Sequence, residues 1–271
     1  MEMNNKETRR VVIGITAHVD AGKTTLAEAM LYRTGQLRKL GRVDHGSAAM
    51  DSHLLERERG ITIFLSQAEL PLGDMEVTLL DTPGHVDFSA EMERTLSVLD
   101  YAILVISGVD GVQAHTRTLW RLLELYRVPT FLFVTKMDFG RRDRDCLMES
   151  LRHELGEGCV DFTPAARDRR MEQLATCRED ALEAYLDTGM VPEELVRQLV
   201  RQRLVFPCWF GSGLKLEGID EFLEGLARYV EPPAYPAAFS ARVFKISHDA
   251  QGKRLTREGF ADRCTLFASP A

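Results

Sequence analysis

The sequence lacks a long apolar run, a cysteine pair with metal-ligand spacing and an excess of positive charge. No hydrophobic segment approaches the roughly 20 residues that a membrane-spanning helix needs, and the polar, charged N-terminus does not have the pattern of a signal peptide. The five cysteines show no C-x-x-C spacing, which favours reduced thiols in a cytosolic protein. The net charge of −7 argues against a general electrostatic clamp on nucleic acid. We therefore expect a cytoplasmic protein that contacts neither a membrane nor DNA.

What the chain does contain is the composition of a globular enzyme, 45% hydrophobic and 28% charged. Short apolar runs alternate with helical patterns, which predicts an α/β fold with a mainly parallel sheet and helices on both faces. In such a fold, ligands bind beyond the carboxyl ends of the strands. The predicted strands are 11–15, 61–70, 76–80, 101–107, 130–134 and 206–210, and the predicted helices are 88–99, 116–126, 217–230 and one that ends near Arg33.

The segment Ala17–Thr25 reads A-H-V-D-A-G-K-T-T and directly follows the apolar run 11–15. A loop of this kind opens a helix, whose N-terminal N–H groups and dipole favour bound phosphate. Lys23 would reach the β- and γ-phosphates of a nucleoside triphosphate, and the Thr24 hydroxyl would bind Mg²⁺. The general pattern begins with Gly where Ala17 stands. For this segment alone, a strand–turn–helix with a chance Gly-Lys-Thr remains the alternative.

Two further motifs follow predicted strands in the order that a GTP site needs. Asp81-Thr82-Pro83-Gly84-His85 supplies a carboxylate that can hold a water of the Mg²⁺ shell, and a glycine that lets a backbone N–H approach the γ-phosphate. Thr135-Lys136-Met137-Asp138 supplies a carboxylate that can accept both guanine N1–H and the exocyclic amine. Either segment alone is more often a solvated turn. All three motifs in order, each at a strand end, predict a guanine-nucleotide site.

Together with Arg59–Ile63 and Gly211–Lys215, these motifs resemble those of the translational GTPases. Within that class, the chain is most similar to the GTPase domain of the tetracycline-resistance ribosomal protection proteins, relatives of elongation factor G. That likeness covers about residues 10–250. It is carried by the medium-length insert between Asp138 and Gly211 and by the segments Leu54–Ile63, Leu96–Asp100 and Asp110–Thr116.

The resemblance implies a P-loop GTPase that converts GTP and water to GDP and phosphate with Mg²⁺, in partnership with the ribosome. It implies that Lys23, Thr62 and His85 are catalytic, with His85 orienting the attacking water. Thr24 and Thr62 would bind the metal directly, and Asp81 through a water. The implied nucleotide contacts are His18, Val19, Asp20, Ala21, Gly22, Lys23, Thr24, Thr25, Asp81, Gly84, Thr135, Lys136, Asp138, Ser212, Gly213 and Leu214.

Two positions depart from the family pattern. Thr135 stands where the guanine motif usually has Asn, whose amide braces the phosphate loop and touches the base. Gly213 stands where the final loop usually has Ala, although its backbone N–H can still meet the guanine oxygen. We expect weaker nucleotide binding from the first departure and a floppier loop from the second.

The predicted organisation is a GTP-binding domain over 1–230, a Pro-rich linker over 231–238, and a truncated start of a β-barrel with an irregular tail over 239–271. A helical insert occupies about 141–204, with helices at 143–155, 167–186 and 193–204. On this interpretation the chain is a shortened family member that hydrolyses GTP slowly, with weak or no stimulation by the ribosome. Its parent activity would be ribosomal protection from tetracycline. The alternatives are a nonenzymatic guanine-nucleotide-binding module and a fragment of an elongation factor G-like translocase.

Overall fold

The structure is a computed structural model that describes residues 9–37, 66–82, 94–140, 143–233, 241–248, 254–260 and 265–268. For Ser66 and for the residues from 241 onward it describes the backbone only. Residues 38–65, which include Thr62, and residues 83–93, which include Gly84 and His85, lie outside these ranges.

Among the described residues, seven strands form one sheet. The strands are β1 Arg9–Ala17, β2 Ser66–Leu72, β3 Met75–Asp81, β4 Tyr101–Ser107, β5 Thr130–Thr135, β6 Cys159–Asp161 and β7 Phe206–Phe210. Their order in the sheet is β2-β3-β1-β4-β5-β7-β6. Every neighbouring pair is parallel except β2 and β3, which form an antiparallel hairpin at one edge. The parallel strands bring their carboxyl ends to one edge of the sheet, where the motifs that start at Ala17, Asp81, Thr135 and Gly211 begin.

Helices cover both faces of this sheet, which confirms the predicted fold class. The helices are α1 Lys23–Arg33, α2 Ala114–Leu125, α3 Arg144–Leu155, α4 Arg167–Ala175, α5 Glu179–Thr188, α6 Glu193–Arg201 and α7 Ile219–Tyr229. Short 3₁₀ turns lie at Met137–Phe139 and Pro164–Ala166. No helix within the described ranges is long and apolar enough to cross a bilayer.

The core has two layers because alternate residues of each buried strand face opposite sides of the sheet. Strands β4 and β5 are buried along their whole length. One layer packs strand residues against α1 and α7, and contains Ile13, Ile15, Ile103, Val105, Phe131, Phe133, Leu26, Met30, Phe222 and Leu226. The other packs against α2 and α3, and contains Ala102, Leu104, Leu132, Val134, Leu119, Leu123, Leu147 and Leu151.

The insert differs from its prediction in two places. The predicted helix 167–186 is wrong as a single element, because α4 ends at Ala175 and α5 begins at Glu179. The insert is also not wholly helical, since it contributes the three-residue strand β6, which pairs with β7 at the sheet edge. The predicted helices 143–155 and 193–204 are confirmed as α3 and α6. Of the predicted helix 88–99, only 94–96 are described as helical.

A second, three-stranded antiparallel sheet has the order β10-β9-β8, with β8 Ala241–His248, β9 Arg254–Phe260 and β10 Thr265–Ala268. Strand β8 lies near the start of the segment 239–271, where the sequence predicts the beginning of a β-barrel. The prediction of an irregular tail is wrong for 254–260 and 265–268, which are strands. Of the predicted linker, 231–233 have no regular structure and the remainder lies outside the described residues.

Candidate nucleotide-binding site

Four chain segments meet at the carboxyl edge of the large sheet. The loop 18–22 connects β1 to α1, Asp81 ends β3, Thr135 ends β5, and the loop 211–217 follows β7. These strands lie in the order β3-β1-β4-β5-β7, so the four segments form one continuous row. The structure therefore brings together motifs that lie far apart along the chain.

The loop 18–22 turns tightly before α1. The Ala21 N–H donates to the His18 carbonyl at 3.1 Å. Asp20 and Gly22 both have left-handed backbone conformations, with φ of 60° and 92°. Helix α1 has no acidic residue in its first turn. No carboxylate from that turn therefore neutralises the N-terminal N–H groups and the positive end of the helix dipole. These are the groups that bind an anion at a helix start.

Lys23 and Asp81 form a buried ion pair beside this loop. The Lys23 Nζ donates to the Asp81 Oδ1, with the lysine 8% exposed and the aspartate fully buried. The next residue, Thr82, donates from both its N–H and its hydroxyl to the Ile15 carbonyl, at 3.1 and 2.9 Å. These bonds fix the end of β3 against β1. A buried ammonium and a carboxylate thus lie side by side where a phosphate and its metal would be held.

Thr135 joins the guanine motif to the phosphate loop. Its hydroxyl lies 2.5 Å from the Ala21 carbonyl and 3.2 Å from the Ile106 carbonyl, and the residue is only 3% exposed. A Cβ added at Gly22 would lie 3.5 Å from the same hydroxyl oxygen. The brace that the missing asparagine amide would supply is therefore present here through a threonine hydroxyl.

The turn that carries Asp138 is tied to the loop after β7. Lys136 adopts a left-handed conformation with φ of 60°, and the next N–H, of Met137, donates to the Gly211 carbonyl at 3.1 Å. The Asp138 side chain is 13% exposed, and its Oδ2 lies 3.9 Å from the Lys215 Nζ. The carboxylate is thus largely buried beside the loop 211–217.

The loop 211–217 is closed by a reciprocal pair of backbone hydrogen bonds. The Ser212 N–H donates to the Glu217 carbonyl and the Glu217 N–H to the Ser212 carbonyl, each at 3.0 Å. A Cβ added at Gly213 would lie 3.1 Å from the Thr25 Cγ2. This close approach to α1 gives a packing reason for the glycine, and the expected flexibility of the loop stays a prediction. Leu214 is 52% exposed at the loop tip.

One further segment lies at this edge, and its residues are not among the predicted site residues, although Asp110–Thr116 carries part of the family likeness. After β4, the Ser107 hydroxyl donates to the Asp110 carboxylate at 2.7 Å, and the Gly111 N–H donates to the Ser107 carbonyl at 2.7 Å. This turn leads into α2, where the His115 ring lies 6.0 Å from the ring of His18, centroid to centroid. The sequence could have indicated this segment, because the predicted strand 101–107 ends at Ser107. That strand end lies in the same row as the other motifs.

The predicted site residues divide into two groups. Those brought to this edge are His18, Val19, Asp20, Ala21, Gly22, Lys23, Thr24, Thr25, Asp81, Thr135, Lys136, Asp138, Ser212, Gly213 and Leu214. Thr62, Gly84 and His85 lie outside the described residues, so their assignment stays a prediction.

Comparison with known proteins agrees with this geometry. Residues 8–232 match the family described as "Elongation factor Tu GTP binding domain". The chain is 42% identical to the oxytetracycline resistance protein of Streptomyces rimosus over 270 residues, which is 89% of this chain and 40% of that protein. It is 36% identical to the tetracycline resistance protein TetM from transposon Tn916 of Enterococcus faecalis over 262 residues, 90% of this chain and 41% of that one.

A crystal structure of a Thermus thermophilus protein superposes with a TM-score of 0.83 at 27% identity, covering 94% of this chain and 46% of that chain. The chain thus spans about two fifths of the length of the two curated relatives. Family match, identity and fold agree with the motifs at the sheet edge. The chain belongs to the translational GTPases, in the family of the elongation factor Tu GTP-binding domain.

Proposed function

We propose that this chain binds GTP and GDP and hydrolyses GTP to GDP and phosphate. The observation that carries the proposal is the hydrogen bond between the Thr135 hydroxyl and the Ala21 carbonyl. It holds the turn that bears Asp138 against the phosphate loop, so a base-selecting carboxylate and a phosphate-binding helix start are positioned relative to each other. A nucleotide that carries both a guanine and a chain of phosphates fits this pair of sites.

The phosphate end of the proposed site depends on α1 and Lys23. The helix start offers backbone N–H groups, and Lys23 brings a nearly buried ammonium. Removing a charge from water is costly unless an opposite charge compensates for it. Asp81 provides that compensation in the structure, and the β- and γ-phosphates would provide it when nucleotide is bound. Lys23 would then neutralise charge on the oxygens that surround the bond to be broken.

The residues at this edge also fit a magnesium ion. Mg²⁺ prefers oxygen ligands and usually binds through one or two protein groups together with substrate phosphates and waters. Thr24 supplies a hydroxyl at the start of α1, and Asp81 supplies a fully buried carboxylate beside it. In this proposal Thr24 and Thr62 would bind the ion directly, and Asp81 would act through a water. The ion would supply further neutralisation of the phosphate oxygens.

The base end of the proposed site lies between Asp138 and the loop 211–217. The Asp138 carboxylate would accept the guanine N1–H and exocyclic amine, a pair of donors that adenine does not present. Gly213 would donate its backbone N–H to the guanine oxygen. In support, Gly213 lies against Thr25 of α1, since a Cβ added at this glycine would lie 3.1 Å from the Thr25 Cγ2.

Hydrolysis would proceed through a loose transition state, so positioning and charge neutralisation supply most of the catalysis. Lys23 would neutralise charge on the phosphate oxygens. His85 would orient the attacking water, and Thr62 would complete the metal site. The support for these two assignments is sequence alone, because His85 directly follows Asp81-Thr82-Pro83-Gly84 and Thr62 follows Arg59-Gly60-Ile61.

The names of the relatives suggest where the reaction is used. Two matched proteins are named for resistance to oxytetracycline and tetracycline. We infer that this GTPase domain serves a ribosome-associated protein of the cytoplasm, whose activity protects the ribosome from tetracycline.

Single-turnover GTP hydrolysis, measured with and without ribosomes, tests the proposal. We expect phosphate release from GTP in both conditions, and loss of any ribosome-dependent part in His85→Ala. His153→Ala is the matched control, since His153 is an exposed residue of α3 in the insert. If GDP binds tightly but no phosphate appears above background in either condition, the chain is instead a nonenzymatic guanine-nucleotide-binding module.

A further inference from the structure

The single proton of the Thr135 hydroxyl is committed to the backbone. Its oxygen has two partners in the structure, the carbonyls of Ala21 at 2.5 Å and Ile106 at 3.2 Å, and both are acceptors. A hydroxyl carries one donor, whereas an asparagine amide carries two. Thr135 is only 3% exposed, so a rotation that frees its proton for another group would leave a buried carbonyl short of a donor.

This commitment matters for how a guanine would be recognised. Guanine presents two hydrogen-bond acceptors, N7 and O6, on the edge that faces the major groove in a duplex. Its exocyclic amine lies on the minor-groove edge. A protein group must donate a hydrogen bond to contact either of them. Thr135 has no second proton to give to a base while it holds the phosphate loop.

The backbone donors on either side of the proposed base pocket are also engaged. The Met137 N–H donates to the Gly211 carbonyl, and the Ser212 N–H donates to the Glu217 carbonyl. The Gly108 N–H, at the end of β4, donates to the Thr135 carbonyl at 2.8 Å. In the proposed site the Gly213 N–H serves the guanine O6, and the Met137, Ser212 and Gly108 N–H groups are held by their protein acceptors rather than directed to N7.

We propose that Thr135 is a positioning residue for the phosphate loop and that the site does not contact the purine N7. A guanine nucleotide whose N7 is replaced by a C–H group is therefore accepted as well as the natural one. The inference rests on the proposed guanine-nucleotide site. It adds that Thr135 makes this site insensitive to the atom at position 7 of the purine.

Calorimetric titration of the unmodified chain with GDP, 7-deaza-GDP and ADP in the presence of Mg²⁺ tests the inference directly. We expect GDP and 7-deaza-GDP to bind within about 2-fold of each other, and ADP far more weakly. Equal binding of ADP and GDP would overturn the proposed function itself. Strong GDP preference over ADP with 7-deaza-GDP bound 5-fold or more weaker than GDP would overturn only the inference.

Variants at position 135 distinguish the hydrogen bond from the Thr135 hydroxyl to the phosphate loop from a contact between this side chain and the purine N7. Thr135→Val removes the hydroxyl and should weaken GDP and 7-deaza-GDP equally, by about 3- to 10-fold, the effect of one net hydrogen bond. Thr135→Ser keeps the hydroxyl and should restore both affinities. Thr135→Asn adds a second donor and should tighten GDP but not 7-deaza-GDP, so that discrimination between them appears.

Thr130→Val is the matched control. Thr130 lies on the same strand β5, is fully buried, and its hydroxyl donates to the Val128 carbonyl at 2.9 Å, away from the carboxyl edge. This variant should leave both nucleotide affinities unchanged. Unchanged GDP binding in Thr135→Val, or no recovery in Thr135→Ser, would show that the hydroxyl does not brace the loop and would overturn the positioning role.

Discussion

Replacing Lys23 by Met removes the ammonium from the buried ion pair at the phosphate loop while keeping a side chain of similar length. Lys23 is 8% exposed and Asp81 is fully buried, so both charges have been taken out of water. Removing one partner of a buried pair costs about 3–5 kcal/mol, because the other charge loses its compensation. Exposed pairs contribute about 0–1 kcal/mol. We therefore expect Lys23→Met to lower the free energy of unfolding by about 3–5 kcal/mol, even without nucleotide.

Urea denaturation followed by circular dichroism, in EDTA and without nucleotide, measures this change. Arg169→Met is the control, since Arg169 pairs with Asp145 on the surface with the two side chains 65% and 72% exposed. The double variant Lys23→Met with Asp81→Asn should recover part of the loss, because the buried charge is then gone as well. A loss in Lys23→Met no larger than that in Arg169→Met would refute the reasoning and show that the pair is solvated.

Two further predictions concern the core. Burial raises the pKa of Tyr101, opposed by its hydrogen bond with the Glu231 backbone. Its neutral form therefore stabilises the fold below the unfolded pKa of 10.0, and this contribution is lost as the pH rises above that value toward the folded pKa. Urea midpoints between about pH 8 and 11 should fall more steeply in the unmodified chain than in Tyr101→Phe, and equal slopes would contradict this. Phe131→Ala, which empties a fully buried position between the rings of Tyr101 and Trp209, should cost about 3–5 kcal/mol in urea denaturation. The same change at Phe139, which is 59% exposed, should cost under about 1 kcal/mol, and similar losses at both positions would argue against the core assignment.

The order of elements was predictable because its signals are local. Strands such as β4 and β7 are continuous apolar runs, as buried parallel strands require, and their bounds match the predicted 101–107 and 206–210. The motifs carry chemistry at fixed spacing, so they could be assigned to strand ends before any contact was known. The fold then placed them at one edge.

The missed elements depend on contacts made across the chain. Strand β6 has only three residues, too few to show a period, and it is defined by pairing with β7. The break between α4 and α5 contains neither Gly nor Pro. It occurs where Arg178 takes an extended conformation and donates to the Asp180 carboxylate at 2.6 Å. Neither feature has a local sequence signal.

The role of Thr135 shows the same limit at the site. From the sequence alone, Thr135 lacks the side-chain amide of the usual asparagine, which predicts weaker nucleotide binding. The hydroxyl-to-carbonyl contact with Ala21 joins positions 114 residues apart, so only the folded chain shows that the link between the two loops persists. The structure thus separates two roles of the usual asparagine, and retains the brace without the second donor.

Base selection by Asp138 tests the central claim most directly, through competition of GDP and ADP for the chain in the presence of Mg²⁺. The account predicts strong preference for GDP, and loss of that preference in Asp138→Ala, because each guanine donor left unpaired costs about 1–3 kcal/mol. Asp143→Ala, at an exposed carboxylate that precedes α3 and makes no capping bond, should keep the preference. Similar affinities for GDP and ADP in the unmodified chain would contradict the assignment of this edge of the sheet as a guanine-nucleotide site.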